Sequence, residues 1–364
     1  MDARSAALAH RRSSWLAALG RNWASVFLAV LVAVFGATGK NFFTLSNIQT
    51  MIYSSAIALL LACAETFVIV SRGIDLSVGY VMGLATIVCS GVMRDLYAPQ
   101  FGVGWPAAAA VAVGVVAGMA ASLACGLASG VLIARFRIPP FIATLGVLGV
   151  AYGVTLHASD GGFPIAFLPP GLTSIGNGYV YYFNPALRVG SFFRPPAGTL
   201  DSQIKDLVRI FPNAAILMIV AVIVLWHLLK NTRFGQHTYA IGGSMDAAVR
   251  AGIDTRRHLL VVYALSALLA GVAGVVNVFQ AGSGNFVPMG SNLEMFAVAA
   301  VIIGGASLNG GKGRIVSSVV GMFIIVVMAN GLTLVGLETF SRYIATGVIL
   351  IAAIVIDQLF PDLF

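Results

Sequence analysis

The chain has 364 residues, 59% of them hydrophobic and only 9% charged, with a mean hydropathy of +0.94. Soluble domains are about a quarter charged and disordered chains are poor in apolar residues, so both classes are excluded. The net charge of +8 (21 Lys and Arg against 13 Asp and Glu) is scattered between apolar runs, which argues against nucleic-acid binding. A polytopic membrane protein remains.

Residues 1–22 carry Arg4, Arg11, Arg12 and Arg21 ahead of the first apolar run. No Ala-x-Ala site follows that run cleanly, so it reads as a retained span and not as a signal peptide. Crossing a bilayer takes about 20 mostly apolar residues. Ten candidate spans lie near 23–38, 48–70, 79–93, 106–134, 140–157, 213–229, 259–280, 294–308, 315–336 and 343–360. The third and eighth are short enough to be broken or re-entrant, and the fourth is long enough to tilt or kink. The expected fold is an all-α polytopic membrane protein, with a transmembrane domain over 23–360 and a short tail, 361–364.

Positive charge sets the orientation. With the N-terminus inside, 14 of the 21 Lys and Arg fall on inner segments, and four of the other seven sit in one long loop, 159–212. Both termini are therefore expected in the cytoplasm. The outer loop 159–212 holds seven of the 13 prolines and the cluster Tyr179, Tyr181, Tyr182 and Phe183. It reads either as an ordered surface for an external partner or as a Pro/Gly-rich linker with interfacial aromatics. Cys63, Cys89 and Cys125 all fall in apolar runs, which suits neither disulfides nor a zinc site.

The inner loop 230–258 has too few apolar residues to span. Gly242 and Gly243 are expected to end an extended piece. Ser244 is a plausible N-cap, Asp246 and Arg250 suit the helix dipole, and Gly252 is a stop signal. Ala247, Ala248, Val249 and Ala251 give the short helix a small, smooth face. Such a helix is marginal alone and must pack on something. Two readings are open: insertion into a groove on a soluble partner, or a loop lying on the membrane surface.

Five motifs occur in order: Arg72-Gly-Ile-Asp-Leu-Ser-Val-Gly79, Thr144-Leu-Gly146, Tyr239-Ala-Ile-Gly-Gly-Ser-Met-Asp-Ala-Ala-Val-Arg-Ala-Gly-Ile253, Gly304-Gly-Ala-Ser-Leu-Asn-Gly-Gly-Lys-Gly313 and Asn330-Gly-Leu. Over roughly 45–360 this set resembles the bacterial ABC-type sugar permeases, the ribose-type branch of the binding-protein-dependent permease superfamily. Ser244 stands where that family usually has Asn, and the 159–212 loop is longer than usual for the branch. The resemblance implies that 230–258 is a coupling loop, with Gly243, Ser244, Asp246, Ala247, Ala248, Arg250, Gly252 and Ile253 meeting a cytoplasmic ABC ATPase. It also implies a periplasmic sugar-binding protein, a second copy of the chain, and a small-molecule sugar or polyol as substrate. The nearest alternatives are a permease of the same superfamily for branched amino acids or nucleosides, and a stand-alone secondary carrier.

Polar groups inside spans are costly and informative. Glu65, Asp75, Asn277 and Asn330 are the candidates for a translocation path; Gln280 ends the seventh span with Asn277, and Glu294 begins the eighth. For Asp75, close to Arg72, a structural role is the stronger reading. No Asp/Glu/His chain of the proton-relay kind is expected, which argues against an ion-coupled carrier. Gly73–Gly79 and Gly305–Gly311 share Gly-x-x-Leu-(Ser/Asn)-x-Gly, which suggests an internal repeat. Gly114/Gly118, Gly126/Gly130 and Gly149/Gly153 have the spacing of close helix packing. The Walker pattern around Lys312 fails, and no metalloprotease or serine-hydrolase motif occurs. The chain is therefore expected to be no enzyme and to carry no cofactor or metal, ATP being bound by the partner subunit.

Overall fold

A computed structural model of the chain describes residues 22–359, except 101, 103, 201–203, 205 and 286–291. The expected N-terminal segment up to 21 and the tail 361–364 lie outside the described residues. The elements in order are α1 (Trp23–Thr38), α2 (Leu45–Val70), α3 (Val78–Tyr97), α4 (Ala107–Ala134), α5 (Pro140–Ala158), α6 (Leu172–Gly176), β1 (Tyr179–Asn184), β2 (Val189–Phe192), β3 (Val208–Pro212), α7 (Asn213–Asn231), α8 (Arg233–Gly243), α9 (Met245–Arg250), α10 (Thr255–Ala281), α11 (Leu293–Ile303), α12 (Ile315–Leu334) and α13 (Thr339–Leu359).

Local rules account for many helix starts. Thr44 caps α2 by accepting from the Asn47 N–H, and Pro140 opens α5 with its φ preset. Among the described residues, six helices are long and apolar enough to cross a membrane: α2, α4, α5, α7, α10 and α12. α3 has 20 residues and runs further than the 79–93 expected. α11 has 11 residues, about 16 Å, and covers only half a hydrocarbon core.

α2 is the central element. From Ala58 to Val70 every residue is buried, because α10, α11, α12 and α7 surround it. α4 packs on α3 and α10 through its glycines. A β-carbon on Gly114 or Gly118 would lie 2.7 Å or 2.8 Å from the carbonyl oxygens of Cys89 and Ala85, and one on Gly126 would lie 2.6 Å from that of Tyr263. These positions hold backbones together, as their spacing predicts. Gly149 and Gly153 on α5 do not: nothing lies within 4 Å of their missing β-carbons. Spacing alone does not separate a packed glycine from an open one.

The all-α expectation fails in 159–212. That segment carries α6 and a three-stranded antiparallel sheet of order β2-β1-β3, with Tyr181 opposite Phe192 on one side and Ile210 on the other. The aromatic cluster is the reason. Tyr179 stacks edge-on against Tyr182, Tyr181 against Phe192, and the Arg209 guanidinium lies over the Tyr179 ring. Alternating aromatics pack well across strands, whereas a linker would leave them unpaired. The segment is tied to the spans: Ile165 and Gly284 form an antiparallel bridge, and Gln49 donates to the Arg209 carbonyl at 2.6 Å. Asn177 joins Tyr53 of α2 and the Gln280 carbonyl of α10.

Candidate functional site

The 230–258 segment folds as two short helices, not as an extended piece and a helix. α8 runs through Gly242 and Gly243 despite three glycines in 11 residues. Propensity disfavours this, so packing must hold it. Phe234 stacks between Phe67 and His258, Ile241 is wholly buried, and Thr238 bonds the His258 ring at 2.9 Å. The Tyr239 hydroxyl donates to the Gly313 carbonyl at 2.7 Å. Burial raises the Tyr239 phenol above its ordinary pKa, and Arg314 offsets part of that rise.

α9 follows the local rules. Ser244 accepts from the Ala247 N–H at 3.2 Å, Asp246 lies in the first turn and Arg250 in the last. Gly252, at φ +81°, takes the left-handed stop, with Gly252 N–H bonded to Val249 and Ile253 N–H to Ala248. Asp254 then caps α10 through the Arg257 N–H. Of the eight coupling residues named from sequence, Gly243, Ser244, Asp246, Ala247, Arg250 and Gly252 are exposed, and Ile253 is half-buried against the core. Ala248 points inward and is 2% exposed, so it anchors the helix instead of facing outward. The large apolar side chains on the open face are Met245 and Val249; the sequence reading placed Val249 on the smooth face but did not single out Met245.

α9 sits beside a crossing of three backbones. The Gly311 N–H donates to the Val70 carbonyl at 2.9 Å, joining the 304–314 turn to the end of α2. Gly242 is wedged against both atoms: its missing β-carbon would overlap the Val70 oxygen and lie 2.6 Å from the Gly311 nitrogen. The end of α8, one residue from α9, thus touches both the end of α2 and the turn between α11 and α12.

The two repeat motifs meet at this crossing, but one residue out of register. Arg72 and Gly305 hold the same left-handed position, at φ +72° and +88°, and the next N–H groups, of Gly73 and Ala306, bond back to Val68 and Val301. The structure thus equates Arg72 with Gly305, whereas the sequence match equates Gly73 with Gly305. The same bond pair ends α9, so the resemblance is a shared helix stop.

The four candidate path residues separate into different settings. Asp75 accepts from Ser77 N–H at 2.9 Å, Ser77 Oγ at 2.5 Å and Ser266 Oγ at 2.9 Å, while Arg72 is exposed. Glu65 is wholly buried near Asp75. The Asn277 side-chain oxygen is buried without a hydrogen-bond partner. Asn330 and Asn47 exchange amide bonds of 2.9 and 3.1 Å, tying α12 to α2. Replacing Asn330 with leucine is expected to lower stability by about 1–3 kcal/mol by orphaning the Asn47 amide. Adding Asn47→Leu should recover part of that loss in thermal unfolding. A neutral single variant would show that the pair holds nothing.

Residues 47–354 match the family described as the branched-chain amino acid transport system/permease component. The ribose import permease of Bacillus subtilis (strain 168) is 35% identical, covering 91% of this chain and 90% of the relative. The D-allose transport system permease of Escherichia coli (strain K12) is 33% identical over the same shares. The galactose/methyl galactoside import permease of that strain is 29% identical, covering 96% and 97%. No solved structure shows a significant match. The chain belongs to this permease family, as a sugar-type permease subunit and a multi-pass protein of the bacterial inner membrane.

Proposed function

We propose that the chain is the membrane subunit of an ABC importer for a monosaccharide or polyol, working by alternating access. In this reading it crosses the membrane about ten times, with both termini in the cytoplasm, and pairs with a second copy of itself. A cytoplasmic ABC ATPase docks on 230–258 and supplies the ATP site, so the chain needs no cofactor. A periplasmic sugar-binding protein delivers substrate on the 159–212 side. The observation that carries the reading is the crossing at Gly242, which links the exposed α9 to the ends of α2 and α11. Closure of the ATPase is transmitted there as displacement. Substrate shifts the balance of inward and outward states only by binding them with different affinity.

Deleting the gene tests this. Cells lacking it should lose uptake of one of a panel of labelled monosaccharides and polyols, and uptake should return with the gene and collapse when ATP is depleted. Loss of leucine or nucleoside uptake instead would move the chain to another branch of the superfamily. Uptake that survives ATP depletion but follows an ion gradient would make it a secondary carrier.

Orientation has its own test. In a variant lacking Cys63, Cys89 and Cys125, a cysteine at Ser191 on β2 should react with an impermeant thiol reagent in intact spheroplasts. One at Ser244 should react only after lysis. Equal reaction of both from outside would overturn the assigned topology.

A further inference from the structure

Three carboxyl groups distant in sequence converge inside the bundle, in the half nearer α9. Glu65 comes from α2, Asp75 from the 71–77 turn and Glu294 from the first turn of α11; all are at most 3% exposed, and Glu65 faces the other two. Asp75 is satisfied by its three donors. Glu65 is not: no side chain bonds its carboxyl, which has only the Asp75 backbone N–H nearby, and one oxygen of Glu294 lacks a partner. A fourth group is aimed at the same place. Tyr263 of α10 is wholly buried, its hydroxyl has no partner, and it faces Asp75 and Glu65.

Among the described residues the surroundings hold no counter-charge. α3 contributes Tyr80 beside Glu294, with Tyr152 of α5 against it. α4 contributes Cys125 facing Asp75, α10 contributes Tyr263 and Ser266, and α5 contributes Thr144, which bonds the Leu76 N–H. The sequence has no Lys, Arg or His in 41–71, 73–93, 95–134 or 259–311, and Arg72 is exposed. Three ionised carboxylates in such a place are untenable, because each unpaired buried charge costs several kcal/mol. The Tyr263 hydroxyl fills the space beside Gly73, and a Glu294 oxygen fills the space beside Gly79.

We propose that Glu65 and Glu294 bind protons at neutral pH, forming a buried proton site between α2, α3, α10 and α11. Asp75 remains the anion of the group, held by its three donors. Each protonated carboxyl gains an O–H with which to bond a neighbouring oxygen, and the negative charge falls from three to one. The site also couples to movement. Glu294 lies at the start of both α11 and α3, so separating these helices admits water and releases its proton.

Infrared spectroscopy of the purified full chain in lipid nanodiscs tests this without any partner. At neutral pH, where exposed carboxyls are ionised, the wild type should show the carbonyl stretch of un-ionised carboxylic acid. Glu65→Gln should reduce that band, and Glu65→Gln combined with Glu294→Gln should remove it. A wild-type spectrum with no such band overturns the proposal, even if neither variant folds. So does a carboxylate signal that shifts when sodium is exchanged for potassium, which would assign the site to a metal ion. A band that persists unchanged in the folded double variant overturns it as well.

Discussion

Replacing Gly242 with alanine is expected to give one of the largest losses of any single methyl added to this protein. The new carbon would overlap the Val70 carbonyl oxygen and press on the Gly311 nitrogen, and those two atoms are bonded to each other. Neither can move alone, since one ends α2 and the other belongs to the turn before α12. Overpacking of this kind costs about 1–3 kcal/mol, and the broken hydrogen bond adds about 1 kcal/mol more. Thermal unfolding in detergent should fall accordingly, and uptake should fall with it. The adjacent Gly243 is the control. Nothing lies within 4 Å of its missing β-carbon, so alanine there should be neutral or should gain about 1 kcal/mol of helix propensity. Equal effects at both positions would show that the crossing does not constrain α8.

The second large effect is expected on α9, where neighbouring residues should fail in different ways. Val249 is 54% exposed and Ala248 2%. Val249→Arg should leave the protein folded in the membrane but place a charge where apolar contact with the ATPase is expected. Leaving that charge unpaired costs about 3 kcal/mol, or roughly two decades of affinity. Pull-down of the ATPase should therefore fail while the amount of membrane protein stays unchanged. Ala248→Arg buries the charge inside the chain's own core, so the protein itself should be lost from the membrane fraction. Wild-type uptake and binding in Val249→Arg would mean that this face of α9 meets only lipid or water.

The contrast between these two residues marks the limit of what the sequence discloses. The caps of α9 were legible, because Ser244, Asp246, Arg250 and Gly252 act on backbone groups two to four residues away. Which side of a two-turn helix faces inward was not, because Ala247, Ala248 and Val249 are similar to any local rule. α8 was misread for a related reason: its glycines lower propensity, and the contacts that override it come from Phe67, His258 and Gly313, far away in the chain. The acid group was equally hidden. Glu65, Asp75 and Glu294 form no linear relay, and only the half-length α11 brings the third to the other two. The sheet in 159–212 was masked by its prolines and glycines, which signal turns but give no pairing partner.

The same sheet has a consequence for how the protein can change. Its first and last residues leave the bundle at one point, because the Asn213 N–H donates to the Gly178 carbonyl at 2.9 Å. A chain that exits and returns through the same doorway puts almost no strain on the frame, and the entropy of closing it rises only with the logarithm of its length. The tip between β1 and β2 is free to shorten or lengthen without retuning the helices beneath, whereas β3 is fixed to α2 through the Arg209 carbonyl. The exposed tip at 185–188 offers the same freedom to an experimenter who needs a place for a tag.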